Sequence, residues 1–135
     1  AEYLPGDEYS VDCIAARGEC LIAVPRKRTR IVNGISAAGE FVQQDSIIAY
    51  CAAIIAALRL DGNIGLQVRQ AASGEFLLLE INPRVQGTIS AGLGAGINLP
   101  LLAVKLALGW PVAPEEWNVQ WGTKFSRYWA ELFYH

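Results

Sequence analysis

The sequence predicts an α+β fold, an antiparallel sheet with helices packed on one face. Three observations predict it. Two separate stretches read as strand, tight turn and returning strand. An alanine-rich segment with apolar residues at helical spacing lies between them. A shorter segment with a clear helix start and stop follows the second pair.

Taken in order, Glu8 to Ala16 alternates, with Tyr9, Val11 and Cys13 opposite Ser10, Asp12 and Ile14. Arg17-Gly18 supplies a turn, and Glu19 to Val24 runs back. Pro25 and the basic run Arg26-Lys27-Arg28-Thr29-Arg30 are expected to end that strand. Asn33-Gly34 and Ala38-Gly39 then mark a loop from Ile31 to Gln43. Asp45 is a suitable N-cap for a helix carrying Ile47, Cys51, Ile54, Ile55 and Leu58 on one stripe, with Gly62 as its stop. Asn63 to Ala71 and Gly74 to Asn82 form the second hairpin around Ser73-Gly74. A glycine-rich stretch (Gly87, Gly92, Gly94, Gly96) reads as a loop with a short helix. Asn98 caps a helix over Leu99 to Leu108, with Pro100 in its first turn and Gly109 and Pro111 beyond it. Val112 to Asn118 is a polar loop, and the aromatic stretch Val119 to Tyr134 reads as a strand or two packed on the sheet.

Composition bounds the function. The 135 residues suit a single domain with a real core. Apolar residues make up 53% and charged ones 18%, an excess that suits contact with another domain or a second copy of the chain. A net charge of −2 leaves no electrostatic footprint for nucleic acid. The basic run at Arg26 to Arg30 could bind phosphate, but alone it reads more readily as a solvated edge. The longest apolar run, Ile47 to Leu58, is about 12 residues, too short to cross a bilayer. Cys13, Cys20 and Cys51 are scattered and lack metal-ligand spacing; an odd count without a signal peptide fits a reducing cytoplasm. The one histidine is His135, which argues against histidine-based acid–base catalysis and histidine-rich zinc sites. Ala1 to Gly6 reads as the middle of a longer polypeptide.

The stretch Gly74 to Arg84 carries the chemistry. Alternation puts Phe76, Leu78, Glu80 and Asn82 on one face and Leu77, Leu79 and Ile81 on the other. Glu80 and Asn82 then lie about 7 Å apart along the strand, pointing the same way. A carboxylate and an amide oxygen so placed can ligate a hard cation such as magnesium. A two-residue turn at Ser73-Gly74 would set Gln67 across from Glu80 and Gly65 across from Asn82, the glycine leaving room for a ligand. Pro83 ends the strand, and Arg84 emerges free to reach an anion. Any one of these residues could be an ordinary solvated hairpin end; the four on one face favour a functional reading.

Two segments together resemble the ATP-grasp superfamily, and within it the large subunit of carbamoyl-phosphate synthase, over roughly Tyr3 to Trp110. The first is Glu2-Tyr3-Leu4-Pro5-Gly6-Asp7-Glu8; the resemblance implies that the backbone at Tyr3 and Leu4 holds adenine and that Glu8 accepts from the ribose hydroxyls. The second is Gln67 with Glu80-Ile81-Asn82-Pro83-Arg84. The resemblance implies that Gln67, Glu80 and Asn82 bind magnesium (or manganese) on the ATP phosphates, and that Arg84 contacts a carboxylate or acyl-phosphate. Gln67 stands where many members carry an acid, as in carbamoyl-phosphate synthases; those enzymes also have a histidine in the loop where this chain has Asn33-Gly34-Ile35-Ser36. The implied fold is the C-terminal lobe of an ATP-grasp domain, residues 1–135, completed by an N-terminal lobe of the same polypeptide. The implied function is an ATP-dependent ligase that activates a small-molecule carboxylate. A nucleotide-binding or assembly module without chemistry of its own is the other reading.

Overall fold

The computed structural model describes residues 4–128 and 130–134. The alternation at Glu8–Ala16 forms strand β1, and Arg17-Gly18 turns the chain into β2 (Glu19–Val32). There follow β3 (Ile35–Phe41), helix α1 (Asp45–Leu58), β4 (Gly62–Gln70), β5 (Phe76–Asn82), a 3-10 turn at Ile89–Ala95, helix α2 (Leu99–Ala107), a second 3-10 turn at Pro114–Trp117, and β6 (Lys124–Ser126). The six strands form one sheet in the order β5-β4-β1-β2-β3-β6, every pair antiparallel. The α+β class and the antiparallel sheet are as the sequence predicts.

Alternation sorts the sheet into two faces. Tyr9, Val11, Cys13 and Ala15 of β1 join Ile64, Leu66 and Val68 of β4 under α1, whose Ile47, Cys51 and Ile55 complete this core. Burial of each large aliphatic side chain here contributes about 1.5–3 kcal/mol. Ile14 of β1 and Val24 of β2 belong instead to a second cluster with Phe41, Ala95, Ile97 and α2's Leu99 and Leu102. α2 thus packs on the face opposite α1, so the helices do not share one face of the sheet as the sequence reading has them. Its Leu101 and Val104, with Leu108 and Trp110 beyond it, stay exposed.

Several elements differ from the sequence reading. Pro25 does not end β2, which runs on to Val32. The carbonyl of Pro25 accepts from Val42 N at 3.1 Å, just past the end of β3. Its missing N–H would point the same way, toward the Val42 carbonyl, which accepts instead from Gln44 N at 3.1 Å, so the proline leaves no acceptor there unpaired. The expected loop from Ile31 to Gln43 is instead a turn at Asn33-Gly34 and strand β3, paired to β2 from Arg26↔Phe41 to Val32↔Ile35. Asp45 is the first residue of α1 rather than its cap; Gln44 is the N-cap and makes no side-chain capping bond. Arg59, at φ 51°, ends the helix in the left-handed region, and Gly62 already opens β4. Asn98 caps α2 as expected, accepting from Leu101 N at 3.1 Å. Among the described residues the aromatic stretch contributes the short β6 against β3 and no other strand. Cys13 and Cys20, from the first hairpin, meet Cys51 of α1; contacts with Cys20 and Cys51, and burial, push the Cys13 thiol well above its ordinary range. Among the described residues no single helix is long and apolar enough to cross a membrane.

Candidate functional site

The second hairpin reaches the expected register by an unexpected route. Ala71 N donates to Glu75 O at 2.8 Å, so the turn spans three residues, Ala72 to Gly74, and not two. Gly74 sits at φ 90°, a conformation that favours glycine. With that turn Val68 faces Leu78. A bulge at Leu79 then adds one residue to β5, and Gln67 faces Glu80 while Gly65 faces Asn82. The bulge also changes which side chains share a face. Phe76, Leu78 and Ile81 pack on the α1 core, whereas Glu80 and Asn82 line a cleft on the opposite side with Gln67. Glu80 and Asn82 thus do not share a face with Phe76 and Leu78, as strict alternation would require. Tyr50 of α1 accepts from Leu78 N at 3.1 Å, so a helix side chain takes up a donor beside the bulge.

Register extends the site across the sheet. Glu80, Gln67, Ser10 and Arg26 form one row of cross-strand partners, and Asn82, Gly65, Asp12 and Val24 form the next. The cleft over these rows has a volume of 340 Å³. Ser10, Gln67, Glu80, Asn82 and Arg84 line it on one side, and Arg28, Gly34 to Ser36 and Arg127 also border it. One negative and several positive side chains thus converge where a polyanion with a metal ion would fit.

Gly65 does not leave an open space beside Asn82. Gln86 fills it: a Cβ at position 65 would land within the Gln86 side chain. The Gln86 amide donates to Val11 O at 3.1 Å, deep in the sheet. Beside it, Arg26 Nε donates to Asp12 Oδ2 at 2.9 Å and Nη1 donates to Thr88 O at 3.4 Å. Burial pushes the Asp12 carboxyl above the usual carboxylate range, and the adjoining guanidinium pulls it back. Gln86 and Thr88 therefore fasten the loop that begins at Arg84 onto the sheet.

Arg84 is exposed but not extended. Its Nη2 donates to Asn82 Oδ1 at 3.3 Å and its Nη1 to Val85 O at 3.1 Å. The guanidinium keeps N–H groups for an anion. Glu8 is held between two arginines: it pairs with Arg28 Nη1, and its Oε2 lies 3.8 Å from Arg69 Nη1. A carboxylate accepts at about four positions, so further donors can still reach it. Leu4 is buried, and the chain after it is pinned to the end of β4, Gly6 N donating to Gln70 O and Arg69 Nε to Gly6 O, each at 3.0 Å. Tyr3 lies outside the described residues.

The oxygens of Glu80, Gln67 and Asn82 suit a hard cation that takes its other ligands from phosphate and water. Among the described residues no cluster of three His, Cys, Asp or Glu forms a metal site from protein groups alone. Of the basic run, Arg28 borders the cleft with its guanidinium already engaged: Nε donates to Ser36 Oγ at 2.9 Å, Nη1 pairs with Glu8, and Nη2 donates to Gly34 O at 2.5 Å. Arg26 is spent on Asp12, and Lys27 on Asp7 at 2.6 Å. Sequence reasoning did not find Arg127 or Gln86. Gln86 lies two residues after Arg84, and a glycine facing the site was the one signal for it.

Over residues 1–126 the sequence matches the family described as "ATP-grasp in the biosynthetic pathway with Ter operon". No curated protein matches the chain. Among solved structures, N5-carboxyaminoimidazole synthase from Aspergillus clavatus, in complex with ADP and 5-aminoimidazole ribonucleotide, aligns with a TM-score of 0.68 at 16% identity, over 89% of this chain and 34% of that one. Biotin carboxylase from Campylobacter jejuni in a β,γ-ATP complex aligns with a TM-score of 0.62 at 16% identity, over 91% of this chain and 30% of the other. An L-amino acid ligase from Bacillus licheniformis gives 0.60 at 13% identity, over 89% and 32%. The chain thus spans about a third of the length of these enzymes.

Proposed function

Because the chain belongs to the ATP-grasp family of the biosynthetic pathway with the Ter operon, we propose that it is the C-terminal lobe of an ATP-dependent carbon–nitrogen ligase. The observation that carries this reading is the pairing of Gln67 with Glu80 and of Gly65 with Asn82, which gathers one carboxylate and two amides at one end of a cationic cleft. Glu80, Asn82 and Gln67 would hold magnesium (or manganese), which when bound neutralises charge on the transferring phosphoryl group. Arg127, bordering the same cleft, adds fixed positive charge toward the phosphates. Arg84 orients the substrate carboxylate, one oxygen of which attacks the γ-phosphorus as ADP leaves. An amine then captures the acyl-phosphate and phosphate departs. The backbone at Tyr3 and Leu4 is assigned to adenine and Glu8 to ribose, the latter positioned by Arg28 and Arg69. Gln67 in the first metal position likens the site to carbamoyl-phosphate synthase.

The nucleotide closes against a further lobe of the same polypeptide, so the 135-residue piece alone binds Mg-ATP weakly and does not turn it over. The test is Glu80→Ala in the full-length protein, with ADP release measured at saturating ATP. Loss of a metal ligand is expected to lower the rate by about a thousandfold. A rate within threefold of wild type rejects the assignment of Glu80. A full-length protein that shows no calorimetric binding of Mg-ATP would instead be the assembly module.

A further inference from the structure

A second cavity, of 260 Å³, adjoins the polar cleft. Ile35, Ser36 and Arg127 line both spaces, so the two share a wall. The rest of the second cavity is formed by Val32, Ala37 and Tyr128, with Arg30 as a further cation; no carboxylate lines it among the described residues. Two points of its wall are held by hydrogen bonds, Arg127 N donating to Ala37 O at 2.8 Å and Arg28 Nε to Ser36 Oγ, while Tyr128 is 87% exposed. Val32 and Ile35 face each other as the last pair of the β2–β3 hairpin, yet are 48% and 46% exposed. Two β-branched side chains open at a hairpin tip add little to the core, and here they face a space next to the cleft.

Resting on the ligase reading above, we infer that the carboxylate substrate carries an apolar side chain, branched aliphatic or phenyl in size, seated between Val32, Ile35 and Tyr128. Arg127 stands between the two spaces and positions the charged end of this substrate toward Arg84. The dimensions agree, since an apolar cavity of about 150 Å³ already takes a benzene ring. The acids disfavoured are those too small to reach Val32 and Ile35.

The test uses the full-length protein with Mg-ATP and hydroxylamine, comparing acetate, isovalerate and phenylacetate. A carboxylate oxygen forms a bond to the γ-phosphorus as the bond to ADP breaks. Hydroxylamine nitrogen then attacks the acyl carbon, phosphate leaves, a proton is released, and the hydroxamate is measured as its iron(III) complex. Isovalerate and phenylacetate are expected to exceed acetate at least 100-fold in kcat/KM, since each methylene in an apolar pocket is worth about 10-fold or more. Val32→Asp should lower that ratio at least 10-fold, and Ala37→Phe, which fills the cavity, should abolish the preference for phenylacetate. Equal use of acetate and isovalerate, or no hydroxamate from any of the three, overturns the inference. Calorimetry with Mg-ATP on the same protein separates the two readings. Absence of nucleotide binding removes both, whereas binding without the preference removes only the apolar pocket.

Discussion

The two faces of the sheet are built from the same strands and obey different rules. Toward α1, β4 presents Ile64, Leu66 and Val68, all buried, in a core that contains no ionised side chain among its buried members. Toward the cleft the same strand presents Gly65, Gln67 and Arg69, and β1 presents Ser10 and Asp12 beside the buried Arg26. The first face holds the strands in register by apolar burial, which is non-directional. The second, beside the apolar cluster under α2, carries beneath the cleft groups whose burial is unfavourable unless each finds a partner. A rigid apolar side is what lets the polar side keep its geometry.

That contrast can be broken on either face. Asp12→Ala should cost about 3–5 kcal/mol in urea unfolding, because it leaves the Arg26 guanidinium buried without its counter-ion. A loss under about 1 kcal/mol would show that water reaches Arg26 and that the second face is not dry there. Replacing both partners, as Asp12→Leu with Arg26→Met, should restore most of the stability. Leu66→Ala opens a cavity on the other face, and about 2–5 kcal/mol should be lost by the same measurement. In the folded fraction, though, nucleotide affinity should be unchanged, and a tenfold weakening would mean that the two faces are coupled.

Smaller effects sharpen the comparison. Gly65→Ala forces Gln86 out of its notch and breaks its bond to Val11 O, at about 1–3 kcal/mol. In a double-mutant cycle, Gln86→Ala should relieve that clash, so the pair costs less than the sum. Strict additivity would show that Gln86 does not occupy the space above Gly65. The smallest effect belongs to the α2 layer. Lys105, and then the backbone N–H of Ala113, hold the Glu116 carboxyl below its ordinary value of 4.5. A depressed carboxyl contributes stability that is present above 4.5 and lost as pH falls through the folded value. Glu116→Gln should therefore flatten the acid limb of the stability profile slightly; an unchanged limb would show the pair to be inert.

Much of this arrangement was legible in the residues. The opposition of Gln67 and Glu80 came from hairpin arithmetic, although the arithmetic contained two errors that cancel. The turn is one residue longer than Ser73-Gly74 suggests, and the bulge at Leu79 returns the difference. Neither is visible in a pattern of apolar residues, because Leu77, Leu78 and Leu79 are identical and a bulge depends on which of them is squeezed out. β2 was cut short at Pro25 because proline usually ends a ladder; whether its missing donor matters depends on where β3 stops, which is tertiary information. Gln86 and Arg127 reach the site through contacts 75 and 90 residues from Val11 and Ala37 in the chain, respectively.

The extra residue at Leu79 acts as a phase corrector between the tip of the hairpin and its working end. A lineage could shorten the tip by one position and lose Leu79 as well, and the groups beyond would stay where they are. Length variation, ordinarily the most damaging kind of change in a paired strand, is therefore confined to the outer half of this one.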